Sequence, residues 1–308
     1  MAKVFIDGQA GTTGLQLKAK LEKHPFVELI EIDKCKRKDA SERQRLMNES
    51  DVVFLCLPDE AAKEAVKLVT NPDTVVIDVS TAHRTADGWT YGFPELSEKH
   101  YEDIKNSKRI ANPGCHATGF ISVMYPLVSE GIISPDYAVT CHSITGYSGG
   151  GNKMIAEYEN PEREEEVGTP RQYALSQTHK HLPEMKAVTG ISDYPVFSPI
   201  VSDYFCGMAV TVPLFTKAFK KEMTLESLYD FYYDFYRDST FITVHKAEST
   251  MISPIGLEGT NQMKICLCGN DDRITVTSVF DNLGKGASSA AIENMNIALG
   301  FPIDTALI

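Results

Sequence analysis

The chain has 308 residues, 43% of them hydrophobic, and a formal net charge of −12 at pH 7. That length exceeds the size at which one hydrophobic core usually stops growing, so we expect two domains, and the acidic balance argues against a nucleic-acid partner. No secretory or membrane segment is expected, and no apolar run approaches a membrane-spanning length. Seven cysteines, an odd number without the spacing of a disulfide framework, favour reduced thiols in the cytoplasm.

The first predicted element is an apolar strand, Val4 to Asp7, which runs into a glycine-rich turn and then a helix. The spacing is GxxGxxG, a variant of the dinucleotide-binding GxGxxG. Glycines in such a turn let the backbone approach a pyrophosphate, which the helix N-terminus then holds. The residues expected to contact a dinucleotide here are Gly8, Gly11, Thr12, Thr13 and Gly14.

Strand and helix patterns then alternate along the chain. Strands are predicted over Val27–Asp33, Asp51–Leu57 and Thr74–Ser80, with helices over 39–49 and 59–69. Such βα alternation predicts an α/β domain with a Rossmann-like, doubly wound parallel sheet.

The end of the second predicted strand bears on the choice of cofactor, because an acidic residue there binds a ribose 2′-hydroxyl and a basic one accommodates a 2′-phosphate. Asp33 ends the strand, and four cations follow it: Lys34, Lys36, Arg37 and Lys38. A charge run is often only a solvated loop. The cations nevertheless favour NADP(H) over NAD, with Lys36 and Arg37 as the expected contacts.

A thiol is predicted at the start of a helix in the segment Asn112–Gly119. After Cys115, apolar residues recur with helical spacing at Ile121, Met124, Tyr125 and Val128. Unpaired N–H groups and the positive end of the helix dipole lower the pKa of a thiol at that place and can also receive an oxyanion. Cys115 is therefore a candidate nucleophile, although a lone cysteine is as often a small buried hydrophobe.

After Gly131 the alternation of strand and helix patterns gives way to longer strand candidates. These elements predict a mostly antiparallel second domain. A helix is predicted over Leu225–Tyr236, and the acidic run Glu162–Glu166 is interpreted as a solvated loop or helix face. The strand candidates are Ala138–Thr145, Phe205–Pro213, Met263–Gly269 and Arg273–Phe280.

Thiol chemistry needs a proton-transfer partner, and His181 is the best candidate because imidazole titrates near neutrality. A surface histidine is the alternative. A metal site is not expected, because neither Cys266 with Cys268 nor Cys141 with His142 has the spacing of a structural zinc site.

Taken together, these features resemble the aldehyde-forming acyl phosphate reductases, a group that includes aspartate semialdehyde dehydrogenase and glyceraldehyde phosphate dehydrogenase. The closest resemblance is to the N-acetyl-γ-glutamyl-phosphate reductase family of arginine biosynthesis, in its shorter type. His116 stands where that family commonly has tyrosine. The motifs that carry the resemblance span nearly the whole chain: residues 8–14, 78–84, 91–95, 111–119, 145–151 and 281–287.

The resemblance implies reduction of N-acetyl-L-glutamyl 5-phosphate by NADPH, through a thioester on Cys115 with His181 as the acid and base. It also implies that Ser80 and Asn282 contact the cofactor. Arg84 is a candidate clamp for phosphate or carboxylate, because its planar fork binds such groups bidentately. A structural ion pair is the other interpretation of Arg84.

The resemblance further implies that residues 285–308 return to complete an NADP-binding domain of residues 1–114. Residues 115–284 would form the catalytic and dimerisation domain of a homo-oligomer, either dimer or tetramer. Other functions stay open: an aspartate semialdehyde dehydrogenase-like enzyme, a thiol hydrolase that needs no NADP(H), and a non-catalytic NADP(H)-binding regulator.

Overall fold

The computed structural model describes residues 1–247 and 249–307. They divide into two compact units: Met1–Gly114 with the C-terminal segment from Ala287, and Cys115–Gly286. In chain order the strands are β1 Ala2–Asp7, β2 Val27–Ile30, β3 Val52–Leu55, β4 Val75–Asp78, β5 Thr90–Tyr91, β6 Arg109–Ala111, β7 Thr140–Gly146, β8 Arg171–Gln172, β9 Val196–Ser202, β10 Met208–Phe215, β11 Ile242–Lys246, β12 Met263–Gly269 and β13 Arg273–Phe280. The helices are α1 Thr12–Leu21, α2 Ala40–Asn48, α3 Asp59–Leu68, α4 Glu98–Asn106, α5 Cys115–Ser129, α6 Gly151–Tyr158, α7 Leu182–Thr189, α8 Leu225–Tyr236 and α9 Ser289–Leu299.

The first unit is built on a six-stranded sheet in the order β2-β1-β3-β4-β6-β5, and its strand pairs are parallel. Strands β3 and β4 are short runs of mostly Val, Ile, Leu and Phe in which every residue is buried. Burial on both faces is typical of a parallel sheet covered by helices. Helix α9 contacts β4, α1 and α4, so the C-terminal part of the chain belongs to this core. The predicted fold class is confirmed.

The second predicted strand is too long. Pairing of β2 with β1 ends at Ile30, and Asp33 begins a separate turn, in which its Oδ1 accepts a hydrogen bond from the Cys35 N–H at 3.0 Å. The cations that follow Asp33 therefore lie on a short 3₁₀ turn and the loop after it rather than directly at a strand end.

The second unit contains a seven-stranded mixed sheet in the order β11-β12-β13-β10-β7-β9-β8. Four of its strand pairs are antiparallel, and two, β11 with β12 and β7 with β9, are parallel. Helix α5 contacts β10 and β13, and each of its residues from His116 to Met124 is buried. A Cβ atom on Gly119 would lie 2.4 Å from Val210 Cγ2, so only glycine allows the helix to approach the sheet this closely.

Prediction was most accurate where the apolar pattern is regular. Strands β12 and β13 and helix α8 have the predicted bounds, whereas β7 and β10 begin two or three residues later than predicted. Strand β9 was not predicted, and it contains Pro199. Among the described residues, no helix is both long enough and apolar enough to cross a lipid bilayer.

Candidate active site

Two glycines of the turn after β1 occupy positions where no larger residue fits. Gly8 has a φ of +93°, and a Cβ atom there would lie 2.3 Å from the Cys56 carbonyl oxygen. A Cβ atom on Gly14 would lie 2.6 Å from the Gly8 carbonyl oxygen. Gly11 is the N-cap of α1, and its N–H donates to the Gly8 carbonyl at 3.2 Å. The backbone of this turn is therefore accessible at the start of α1, as an anion site requires.

A cavity of about 270 Å³ opens beside this turn. Its lining includes Gly8 from the turn and Arg37 and Lys38 from the segment after β2. Lys36, which the sequence favours as a contact, is exposed and does not belong to the lining. The basic side chains at this cavity are thus Arg37, Lys38 and one that the sequence did not predict, Arg43.

Arg43 projects from α2 and binds the carboxylate of Asp7 with both ends of its guanidinium. Its Nε donates to Asp7 Oδ1 at 3.2 Å and its Nη2 to Oδ2 at 2.6 Å. The Asp7 side chain is only 8% exposed and that of Arg43 20%. A nearly buried carboxylate at the end of β1 is therefore neutralised where a cofactor phosphate would approach.

Asp78, at the end of β4, organises the next loop. Its carboxylate accepts hydrogen bonds from the N–H and the hydroxyl of Ser80, at 2.9 and 2.7 Å, and lies 2.6 Å from His83 Nδ1. The His83 ring stacks on Trp89, with ring centres 4.1 Å apart. The Ser80 hydroxyl, a predicted cofactor contact, is thus held by Asp78 within the first unit.

The predicted clamp residue, Arg84, is held by the backbone. Its Nε donates to the Asn112 carbonyl at 2.9 Å and its Nη2 to the Val79 carbonyl at 3.2 Å. These contacts attach the loop after β4 to the segment that leads to Cys115. They give Arg84 a bracing role, and its roles as a clamp or in a structural ion pair stay predictions.

Asn112 also joins the two places where the chain passes between the units. Its Nδ2 donates to the Ala287 carbonyl at 3.0 Å, and its Oδ1 accepts from Asn294 Nδ2 at 3.1 Å. Asn294 is buried and donates to the Gly92 carbonyl as well. The segments that precede Cys115 and follow Gly286 are therefore fixed to each other inside the first unit.

Within the second unit, Cys115 is the first residue of α5 and is half-buried. Space for its side chain depends on Gly286, because a Cβ atom there would lie 2.8 Å from Cys115 Cβ. The turn that presents Gly286 is built on buried Asp281. Its main-chain carbonyl accepts from the Gly286 N–H, and its carboxylate accepts from the N–H groups of Leu283 and Gly259. The predicted placement of the thiol in the first turn of a helix is confirmed.

A cluster of rings lies around His116, the residue that follows Cys115. The His116 ring centre lies 5.5 Å from that of His181 and 5.4 Å from that of His179. His181 is 5% exposed, and its N–H donates to His179 Nδ1 at 3.2 Å. The structure therefore brings the predicted acid and base to the helix that carries the thiol. A surface position for His181 is excluded.

His116 is hydrogen-bonded through both ring nitrogens. Its Nδ1 lies 2.6 Å from Ser143 Oγ and its Nε2 lies 2.6 Å from the Tyr173 hydroxyl. Burial, followed by the charges of His179 and Lys180, lowers the pKa of His116 to about 3. The ring is consequently neutral at physiological pH.

The loop that carries Tyr173 and His181 has an unusual backbone. Ala174 and Gln177 have φ values of +52° and +58°, a left-handed backbone conformation that residues other than glycine rarely adopt. Gln177 stabilises the loop by bonding both backbone groups of Phe197 on β9, at 2.7 and 2.9 Å. Such conformations persist where the surrounding structure holds them, often at functional sites.

Asn282 is buried, and its amide bonds to the protein at both ends. Its Oδ1 accepts from the Gly207 N–H at 2.8 Å, and its Nδ2 donates to Ser148 Oγ at 3.0 Å. Its contact with a nicotinamide stays a prediction. Within residues 1–247 and 249–307, no three His, Cys, Asp or Glu side chains are grouped as metal ligands would be.

Comparison with known proteins gives consistent results across the chain. The family model described as "Semialdehyde dehydrogenase, NAD binding domain" matches residues 3–104, and "Semialdehyde dehydrogenase, dimerisation domain" matches residues 115–282. A curated protein of Nostoc sp., named N-acetyl-gamma-glutamyl-phosphate reductase 2, is 39% identical over 99% of both chains.

Two solved structures share the fold at low identity. A probable aspartate-semialdehyde dehydrogenase from Pseudomonas aeruginosa is 13% identical, with a TM-score of 0.75 over 97% of this chain and 98% of that one. The aspartate semialdehyde dehydrogenase with NADP from Candida albicans is 15% identical, with a TM-score of 0.68 over 96% and 98%.

Proposed function

The chain belongs to the semialdehyde dehydrogenase family, and we propose that it reduces N-acetyl-L-glutamyl 5-phosphate with NADPH to N-acetyl-L-glutamate 5-semialdehyde and phosphate, in arginine biosynthesis. The observation that carries the proposal is the position of Cys115, half-buried as the first residue of α5 and in the same unit as His181, whose ring lies beside that of His116. The name of the 39% identical relative supports the acetylated substrate.

The first unit fits a dinucleotide phosphate. A side chain at Gly8 or Gly14 would occupy the space where the backbone turns, and α1 begins directly behind it. We assign the cofactor phosphates to this turn and the 2′-phosphate to Arg37 and Lys38. The Candida albicans enzyme of the same fold, whose crystal structure is with NADP, supports the same choice of cofactor.

The chemistry begins with the Cys115 thiolate, which the N-terminus of α5 stabilises. The sulfur attacks the acyl carbon, the bond from that carbon to the phosphate oxygen breaks, and phosphate leaves with the electron pair. The product on the protein is a thioester, which is a better hydride acceptor than a carboxylate. NADPH, when bound, supplies the hydride.

His181 accepts the thiol proton before attack and returns a proton during release of the product. Its buried position beside His116, at the N-cap of α7, limits the directions in which its ring can point. The bonds of Arg84 to two carbonyl oxygens favour a bracing role for that residue, which holds the segment before Cys115 in place.

We also propose that the protein acts in the cytoplasm as a homo-oligomer, a dimer or a tetramer. All seven cysteines are free thiols in the structure, as expected for a reducing compartment. The description of the second family model as a dimerisation domain supports self-association of residues 115–282.

The test is phosphate-dependent reduction of NADP by the purified protein, with N-acetylglutamate semialdehyde or aspartate semialdehyde as substrate. We expect turnover with the acetylated substrate, its loss in Cys115→Ser, and its retention in the control Cys268→Ser on β12. Turnover with aspartate semialdehyde alone would preserve the mechanism and overturn the substrate. Tight NADP binding without turnover of either substrate would favour a regulator, and hydrolysis without NADP would favour a thiol hydrolase.

A further inference from the structure

Gln9 lies in the turn after β1, and the fold of the first unit gives its side-chain amide nothing to bind. The residue is 8% exposed and lines the cavity of about 270 Å³ beside the turn. Its Nε2 is buried, and no atom of residues 1–247 or 249–307 accepts a hydrogen bond from it. A buried donor without an acceptor costs free energy of folding, so its presence calls for a functional reason.

The glycines on either side of Gln9 fix its position. Gly8, directly before it, has a φ of +93°. A Cβ atom on Gly14, in the first turn of α1, would lie 2.9 Å from Gln9 Cα, so the helix packs directly against the backbone of Gln9. The Gln9 side chain therefore starts from a backbone that is held in place, and its amide is fixed at the cavity before any ligand binds.

The charged side chains at this cavity indicate which kind of ligand would accept a hydrogen bond from Gln9. Arg37, Lys38 and Arg43 are cations, and Asp7 is the acidic side chain of the lining. Both oxygens of Asp7 already accept hydrogen bonds from Arg43, at 3.2 and 2.6 Å. The lining therefore presents positive charge, an amide donor and a neutralised carboxylate, which together favour an anion with several acceptor oxygens.

We propose that Gln9 is a cofactor-binding residue, whose Nε2 donates a hydrogen bond to a phosphate oxygen of the bound NADPH. The inference rests on the proposed function, which assigns the cofactor phosphates to this turn and the 2′-phosphate to Arg37 and Lys38. The cations attract the phosphate from any direction, whereas the neutral amide donates along one direction. Gln9 thus determines where in the cavity a phosphate oxygen lies.

The accepting oxygen belongs either to the pyrophosphate, which the turn holds, or to the 2′-phosphate, which the cations hold. NADH distinguishes the two, because it has the same pyrophosphate but carries a hydroxyl in place of the 2′-phosphate. If the amide binds the pyrophosphate, its removal weakens the binding of both cofactors. If it binds the 2′-phosphate, its removal weakens the binding of NADPH alone.

The experiment replaces Gln9 by methionine, which has a similar length and shape but no donor. Titration calorimetry measures the Kd for NADPH and for NADH, and urea denaturation without cofactor measures the free energy of unfolding. We expect Gln9→Met to raise the Kd for NADPH about tenfold, because a hydrogen bond to a charged acceptor is lost. The free energy of unfolding should stay equal or rise, because an apolar group replaces a buried donor that has no acceptor in the protein.

The matched control is Gln16→Met, on α1. Gln16 is half-buried, and its Oε1 accepts a hydrogen bond from the Ser288 hydroxyl at 3.4 Å. It does not belong to the lining of the cavity. The same chemical change at this position should leave the Kd for both cofactors unaltered.

An unchanged Kd for NADPH in a folded Gln9→Met protein would overturn the proposal. A variant that does not fold, or that loses both affinity and stability, would overturn it as well, because the amide would then serve the fold rather than the cofactor. Binding is measured without the acyl substrate. Absent turnover together with a raised Kd in Gln9→Met would therefore refute the proposed reaction and leave the role of Gln9 intact.

Discussion

The ion pair between Arg43 and Asp7 gives the sharpest prediction for the first unit. Replacing Arg43 by alanine leaves the Asp7 carboxylate, 8% exposed, without its bidentate partner at the cavity beside the glycine turn. Breaking a fully buried pair costs about 3–5 kcal/mol, whereas an exposed pair contributes about 0–1 kcal/mol. Since the Arg43 side chain is 20% exposed, we expect the free energy of unfolding to fall by about 2 kcal/mol.

The same substitution should weaken NADPH binding, because an uncompensated carboxylate would repel the cofactor phosphates. A repulsion of about 1.4 kcal/mol corresponds to a tenfold increase in Kd, and we expect roughly that effect. Stability is measured by urea denaturation and affinity by the fluorescence of bound NADPH. The double variant Arg43→Ala with Asp7→Asn should recover most of both losses, since the buried charge is then absent.

A matched control lies on the same helix. Arg45 bonds Glu42 at 2.9 Å and Glu49 at 2.7 Å, but its side chain is 50% exposed. Arg45→Ala should therefore leave both the free energy of unfolding and NADPH binding almost unaltered. Equal effects of the two substitutions would refute the assignment of Arg43 to the neutralisation of Asp7.

Three further predictions concern two glycines and His116. Gly286→Ala should lower kcat strongly while leaving the Kd for NADPH within about twofold, because the new Cβ atom would displace Cys115 in the second unit. Equal losses in kcat and in NADPH binding would contradict this prediction. Gly8→Ala should abolish NADPH binding or folding, because it combines a φ of +93° with a clash at the Cys56 carbonyl. Titration calorimetry measures the binding and circular dichroism the folding. A folded variant with normal affinity for NADPH would contradict this prediction. The pKa of His116 is near 6.5 in the unfolded chain. Burial, followed by the charges of His179 and Lys180, lowers this pKa to about 3 in the folded protein. The unfolded state therefore binds more protons between these values, and stability is lost as pH falls through that window, with a slope of up to about 1.4 kcal/mol per pH unit. Urea denaturation at several pH values should show a flatter slope in His116→Phe, and an unchanged slope would contradict it.

Local residue patterns were sufficient to predict the elements in which apolar residues recur regularly. The strand candidates Met263–Gly269 and Arg273–Phe280 match β12 and β13, and the helical spacing of Leu225, Leu228, Tyr229 and Tyr232 predicted α8 with this stripe in the core. Leu228 and Tyr232 are buried, whereas Leu225 and Tyr229 are half-buried, and Tyr229 lies under the Lys246 ammonium, 4.5 Å from its ring centre. Glycine spacing likewise predicted the turn at Gly8, because its reason is steric and local.

In the candidate site, only the features that neighbouring residues determine could be predicted from the sequence. Cys115 follows a Pro-Gly turn and begins a helix, and both facts can be inferred from neighbouring residues. The pairing of Arg43 with Asp7 spans 36 positions and joins an unexceptional helix to a strand end. The contact of His116 with Tyr173 spans 57 positions. Such pairs depend on how the chain folds back, and no local pattern indicates them.

The charge run after Asp33 illustrates the same limit at short range. Composition predicted a basic site, but it could not tell which side chains face the cavity. Arg37 and Lys38 line it, whereas Lys36 lies on an exposed turn. The direction of each side chain there depends on the turn that Asp33 caps, which the predicted longer strand did not include.

Whether Cys115 carries the acyl group as a thioester is decided by a burst experiment without phosphate. The protein is mixed with N-acetylglutamate semialdehyde and NADP in a phosphate-free buffer, and NADPH formation is followed in time. We expect about one equivalent of NADPH per subunit, then a near stop, an acyl mass on the Cys115 peptide, and renewed turnover when phosphate is added. Steady turnover without phosphate, or a burst that persists in Cys115→Ser, would contradict the thioester.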